Sequence, residues 1–147
     1  MNISVCGDPF GTAFNGDWEH ACRGDAELDY LGAHIDVRFV VEAGAVAATL
    51  EFLDGKLDVI RPFVSAAEFT LRAPTEVWQR FLQAVPPAPY HHVLAMKMRV
   101  PEFSVLGDEQ KLLQCAHLVR RSLELARWVA NGRAAAALAP THLRRSV

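Results

Sequence analysis

Between Ala66 and Leu113 the apolar residues change their spacing from one segment to the next, laying out a strand, an amphipathic helix, an apolar helix, a second strand and a long helix. Phe69 and Leu71 alternate with Glu68, Thr70 and Arg72, as in a strand with one buried face. Ala73-Pro74-Thr75-Glu76 stops that strand and opens a helix, because proline is tolerated in a first helical turn but not further in. On this helix Val77, Trp78, Phe81, Leu82 and Val85 make one broad apolar face. Pro86-Pro87-Ala88-Pro89 then breaks the chain ahead of an apolar segment, Tyr90 to Val100, that carries Val93, Leu94, Met96 and Met98. Phe103 and Val105 mark the next strand. Asp108 is placed to cap a final helix, in which Leu112, Leu113, Ala116, Val119, Leu123 and Ala126 recur at three- and four-residue steps before Asn131-Gly132. No catalytic motif interrupts the series, which describes a container more clearly than a reaction.

Upstream, residues 1 to 16 contain Gly7, Asp8, Pro9, Gly11 and Asn15 and read as an arm. Asp17 is expected to cap a helix through Trp18, Cys22, Leu28 and Leu31, weakened at Gly24 by about 1 kcal/mol and ended by Gly32. Ile35, Val37, Phe39 and Val41 alternate with Asp36, Arg38, Val40 and Glu42 as a strand. Val46, Ala48, Leu50 and Phe52 continue in a second strand after an Ala43-Gly44 turn. Asp54-Gly55 is a hairpin signal, and Leu57, Val59 and Arg61 make a third strand that Pro62 ends or confines to an edge. A three-stranded meander therefore precedes the Phe69 strand. The expected organisation is an arm (1–16), one domain (17–132) and a tail (133–147).

The strand ending in Leu71-Arg72-Ala73-Pro74, the Trp78 helix, the Met-bearing segment and the strand closed by Val105-Leu106-Gly107-Asp108 together resemble the sterol carrier protein type 2 family, as a single-domain member of the bacterial type. The resemblance runs from about residue 35 to residue 126 and is carried by apolar positions plus Gly107-Asp108. It implies an α+β fold: a twisted five-stranded sheet, a β-meander plus two further strands, covered by helices that enclose an apolar cavity. Where many family members carry a glycine-rich turn after the cover helix, this chain has Gln83-Ala84-Val85-Pro86-Pro87.

At 147 residues the chain suits one domain, and a domain of this size buries about 70% of its unfolded surface without disulfides or metal. A formal charge of −2 argues against nucleic acid, which calls for clustered Lys and Arg. The charge is unevenly divided. Asp8, Asp17, Glu19, Asp25, Glu27, Asp29 and Asp36 face Arg23 alone in the first 36 residues, whereas Lys111, Arg120, Arg121, Arg127, Arg133, Arg144 and Arg145 face Glu124 toward the other end. Three readings stand open: attraction between the ends within the fold or across a homodimer, a basic patch giving at most peripheral membrane contact, or two solvated faces. Cys6, Cys22 and Cys115 are odd in number and unpaired in spacing, as in a reducing compartment. With neither a signal-peptide pattern nor an 18-residue apolar run, a cytoplasmic location is expected.

Ten residues are expected to face an enclosed apolar space: Phe39, Leu50, Phe69, Leu71, Trp78, Phe81, Met96, Met98, Phe103 and Leu113. Alternation cannot separate a cavity wall from solid core, since both demand the same residue types. His91 and His92 are candidates for the polar mouth of the cavity. Their adjacency points the side chains apart and does not suit a metal, so no metal and no cofactor is expected. No serine sits in a Gly-x-Ser-x-Gly elbow, and Cys115 lies in an apolar stripe.

The function these residues favour is non-catalytic binding or transfer of a lipid, fatty acyl chain or sterol-like molecule in an apolar tunnel. A second reading is an accessory subunit that partners an enzyme acting on hydrophobic substrates. A third is a small acid–base enzyme pairing Glu19, Asp29 or Asp36 with a histidine such as His34, His91 or His92.

Overall fold

In the computed structural model, which describes residues 9–62 and 66–132, the elements alternate much as the apolar spacing predicts. The expected tail (133–147), the first half of the expected arm and Cys6 lie outside the described residues. Helices α1 (Thr12–Arg23) and α2 (Ala26–Leu31) precede strands β1 (Val37–Ala43), β2 (Val46–Leu53), β3 (Lys56–Pro62) and β4 (Phe69–Ala73). Then come α3 (Thr75–Phe81), α4 (Val93–Arg99), β5 (Ser104–Gly107), α5 (Glu109–Gln114) and α6 (Ala116–Ala130). The five strands form one mixed sheet in the order β3-β2-β1-β4-β5. The meander is antiparallel, β4 joins β1 in parallel, and β5 closes the far edge antiparallel to β4.

The meander turns where the sequence asks it to. Asp54 and Gly55 both have positive φ, 52° and 78°, the signature of a tight I′ hairpin. A Cβ on Gly55 would lie 2.4 Å from the Gly32 carbonyl oxygen, so the same glycine also lets the end of α2 sit on the hairpin. Gly107 is equally constrained: its φ is 97°, and a Cβ there would come within 2.6 Å of the Glu68 carbonyl oxygen. Asp108 follows it and accepts from the Lys111 N–H at 3.0 Å, capping α5 as expected.

Period two sorts the sheet into unlike faces. Phe39, Val41, Leu50, Phe52, Phe69 and Leu71 belong to the apolar core. On the opposite face, directly paired positions carry opposite charges: Arg38 with Glu51 at 2.7 Å and Arg72 with Glu42 at 2.8 Å. An open cleft of about 230 Å³ lies on that outer face, lined by Arg38, Thr49, Glu51, Val59 and Arg61.

The helices on either side of the sheet sequence differ from expectation at several points. The first begins at Thr12 behind Gly11, not at Asp17, which is exposed within it. Phe14, Trp18 and Cys22 form a buried i, i+4 stripe whose packing outweighs the weak local propensity of Asn15 and Gly16. Gly24 ends this helix, and Asp25 opens a new one by accepting from the Leu28 N–H at 2.8 Å. Finally, the long terminal helix breaks at Cys115, whose Sγ donates to the Lys111 carbonyl at 3.0 Å, into α5 and α6.

The uneven charge is drawn together inside the fold at its centre. Arg121 on α6 grips Asp25 at 2.8 and 3.0 Å, and Arg120 reaches Glu27 at 3.4 Å. Nearby, Trp18 Nε1 donates to the Ser122 carbonyl at 2.8 Å, so α1, α2 and α6 are strapped as a group. No helix among the described residues is long and apolar enough to cross a membrane.

Candidate ligand site between sheet and helices

Between the inner face of the sheet and the helices lies a layer built largely of rings. Phe39 stacks between Phe52 and Phe69, with centroids 6.3 and 5.2 Å away. Above it, Trp78 meets Phe81 at 5.5 Å, Phe103 at 5.8 Å and Phe10 at 5.4 Å. Trp78 is placed by α3 and fixed in rotation by its Nε1, which donates to the Glu42 carbonyl at 2.9 Å. Such a buried indole has its polar atom satisfied and its faces free for apolar contact.

Of the residues expected to face this space, Phe39, Leu50, Phe69, Leu71, Trp78, Phe81, Met96 and Phe103 are all buried in the one core. Met98 and Leu113 are not: they are 82% and 60% exposed. The helical period explains both. Met98 lies two positions from the buried Met96, about 200° round α4, and Leu113 lies one position from the buried Leu112, about 100° round α5. Val85 is also exposed, because α3 stops at Phe81 and never carries its apolar face that far.

The segment from Leu82 to His92 closes over one end of the layer and is held by α6. Arg127 donates to the carbonyls of Phe81 at 2.8 Å and His91 at 3.2 Å, and stacks 4.4 Å from the centroid of the Phe81 ring. Asn131 donates to the Leu82 carbonyl at 2.9 Å. His91 is exposed and contributes its backbone. His92 is half-buried and opens α4, its Nδ1 accepting from the Leu94 N–H at 3.1 Å.

That bond requires a neutral imidazole. Burial is the largest influence holding the His92 pKa below its usual 6.5, helped by Arg120, His91 and Arg127 and opposed by Glu124. A depressed folded pKa means the unfolded chain binds the proton first. The cap's stabilisation is therefore complete above pH 6.5 and is lost as pH falls from 6.5 through the lowered folded value. His92→Asn, which keeps a capping acceptor without titrating, is expected to flatten this part of the stability profile. Thermal melts of both proteins between pH 5 and 7 check this.

The Cys115 thiol and the candidate acid–base carboxylates singled out in the sequence are tied into the scaffold. Burial pushes the Cys115 thiol up to about 11 and the Cys22 thiol further, so both are protonated at neutral pH. Glu19 accepts from the Ile60 N–H at 3.0 Å, Asp29 pairs with Lys56 at 3.3 Å, and Asp36 accepts from the Asp54 N–H at 2.6 Å, so each carboxylate serves the scaffold. Among the described residues no group of three or more His, Cys, Asp or Glu is arranged to hold a metal.

The arrangement has close structural counterparts. The crystal structure of a sterol carrier protein 2 superposes with a TM-score of 0.67 over 80% of this chain and 96% of its own, at 17% identity. The chain has the sterol carrier protein 2 fold. The solution structure of a conserved hypothetical protein from Thermus thermophilus matches with a TM-score of 0.65 over 82% of this chain and 88% of its own, at 16% identity. A ubiquinone synthesis protein, UbiJ-SCP2, aligns over 76% of this chain and 90% of its own, at 16% identity and a TM-score of 0.48. No family model and no curated protein matches the sequence. In this chain rings crowd the layer between sheet and helices.

Proposed function

We propose that the protein binds a hydrophobic small molecule, such as a lipid, fatty acyl chain or sterol-like ring system, between its sheet and its helices, without catalysis. The carrying observation is the meeting of this fold with a single layer of buried aromatic and aliphatic side chains under α3 and α4. Binding would draw on apolar burial, at roughly 25 cal/mol per Å² of ligand surface removed from water. The layer is closely packed, so entry requires side chains to give way. The Leu82–His92 cover, pinned by Arg127 and Asn131, is the segment whose release would open it.

Native mass spectrometry of freshly purified protein, followed by solvent extraction, tests this. The expected result is an added mass of lipid character, or uptake from a panel of acyl and sterol-like compounds. A clean apo mass with no uptake overturns the reading. A second reading, an accessory subunit, is favoured by the outward Met98 and Leu113 on α4 and α5, helices linked by Lys97 and Glu109 at 3.5 Å. It predicts a stable complex on co-purification, where a free carrier elutes alone.

A further inference from the structure

Phe10 precedes α1 and holds an unusual position. Its φ is +63°, in the left-handed region that residues with a side chain enter at a cost. The cost is met by its ring, which is buried against Phe14 at 5.5 Å, Trp18 at 5.3 Å and Trp78 at 5.4 Å. Phe10 therefore bridges α1 to α3 in the aromatic layer. The residue after it, Gly11, is the N-cap of α1 and provides no side-chain bond there.

Beside it lies an unbalanced polar group. Asn15 is only 8% exposed, and its Nδ2 donates to the Phe10 carbonyl at 3.0 Å. Its Oδ1 is buried with no hydrogen-bond donor among the described residues. Buried amide oxygens nearly always have a partner, so this orphan asks for an explanation.

We infer that the Phe10 ring is a built-in plug of the ligand site, and that Asn15 Oδ1 selects an apolar ligand bearing a hydroxyl. The inference rests on the apolar-ligand reading above. Withdrawal of the ring would open a ring-sized space bounded by Trp18 and Trp78, and the Asn15 amide, bonded to the Phe10 carbonyl, carries an acceptor already stripped of water. A ligand hydroxyl satisfies that acceptor by donating to it. An ether has no proton to give, and a carboxylate would bring negative charge to a lone-pair acceptor in a low-dielectric site. A plug also lowers apparent affinity in proportion to the time it is seated.

The experiment is calorimetric titration of 1-dodecanol and dodecyl methyl ether into wild type, Phe10→Ala, Phe10→Leu and the double variant Phe10→Ala/Asn15→Leu, with circular dichroism confirming each fold. Phe10→Ala is expected to tighten both probes about tenfold by removing the plug. Phe10→Leu, which keeps part of the packing, reads the same effect at about threefold if the alanine variant does not fold. Wild type and Phe10→Ala should prefer the alcohol over the ether about three- to tenfold, the worth of one buried hydrogen bond. In the double variant, which has no plug to loosen, that preference should vanish while ether binding persists. Equal binding of both probes by all proteins overturns the inference and leaves the apolar-ligand reading standing. Failure of every folded protein to bind either probe overturns both.

Discussion

Trp78→Ala is expected to lower stability by about 3 to 5 kcal/mol, the range for deleting a fully buried large aromatic. The indole touches three other rings and is completely buried, so its removal takes contacts from α3, the Phe10 segment and the residues before β5 at once. It also removes the donor that binds the Glu42 carbonyl at 2.9 Å. Trp78→Phe separates the two terms: it restores most of the ring packing and should cost about 1 kcal/mol for the lost hydrogen bond. Urea denaturation with unchanged slope reads both values. A loss below about 1 kcal/mol for Trp78→Ala would mean that the indole borders open space and has little packing to lose.

Arg121→Met is expected to be nearly as damaging, at about 3 kcal/mol or more, although it exchanges a charge for an apolar side chain of similar reach. The guanidinium side chain is 6% exposed and its Asp25 partner 12%, so the methionine leaves a carboxylate stranded away from water. Asp25 has a second duty, capping α2 through the Leu28 N–H, and Arg121 also lies 4.8 Å over the Trp128 ring. Glu27 and Glu124 are more exposed, so their share of the loss is screened and small. The sign of the effect is tested by adding Asp25→Asn. If the stranded charge is the cause, the double variant should be more stable than the sum of the two losses predicts, with a coupling of about 1 to 3 kcal/mol. Strict additivity would instead assign the loss to packing.

Much of the sheet could be read from the chain because period two and turn chemistry are local signals. Asp54-Gly55 and Gly107-Asp108 stand where positive φ and a helix cap demand them. The parallel seam between β1 and β4 is not local: it pairs Phe39 with Phe69 across thirty positions, and no turn signal or alternation specifies it. The apolar layer was legible as residue types, but inside and outside were not separable at Met98 and Leu113, where the turn of a short helix decides which of two neighbours is buried. The start of α1 was missed because Gly11, Asn15 and Gly16 suggest a loop, whereas Phe10, Phe14 and Trp18 pack against each other through space. That aromatic spacing was the available signal. Asn15 carried none, since its oxygen is buried and orphaned only once the chain has folded.

The strap between the two ends of the described chain also bears on synthesis. Trp18 finds its acceptor 104 residues later in sequence, and Asp25 its guanidinium 96 residues later. While the chain emerges from a ribosome, the β1–β3 meander can pair and take up α1 through Glu19 and the Ile60 N–H as soon as it is made, but the Trp18 and Asp25 clasps wait until α6 has been synthesised. Until then the part of the core that α6 completes stays open to water, which makes the nascent chain a natural client for a holdase chaperone.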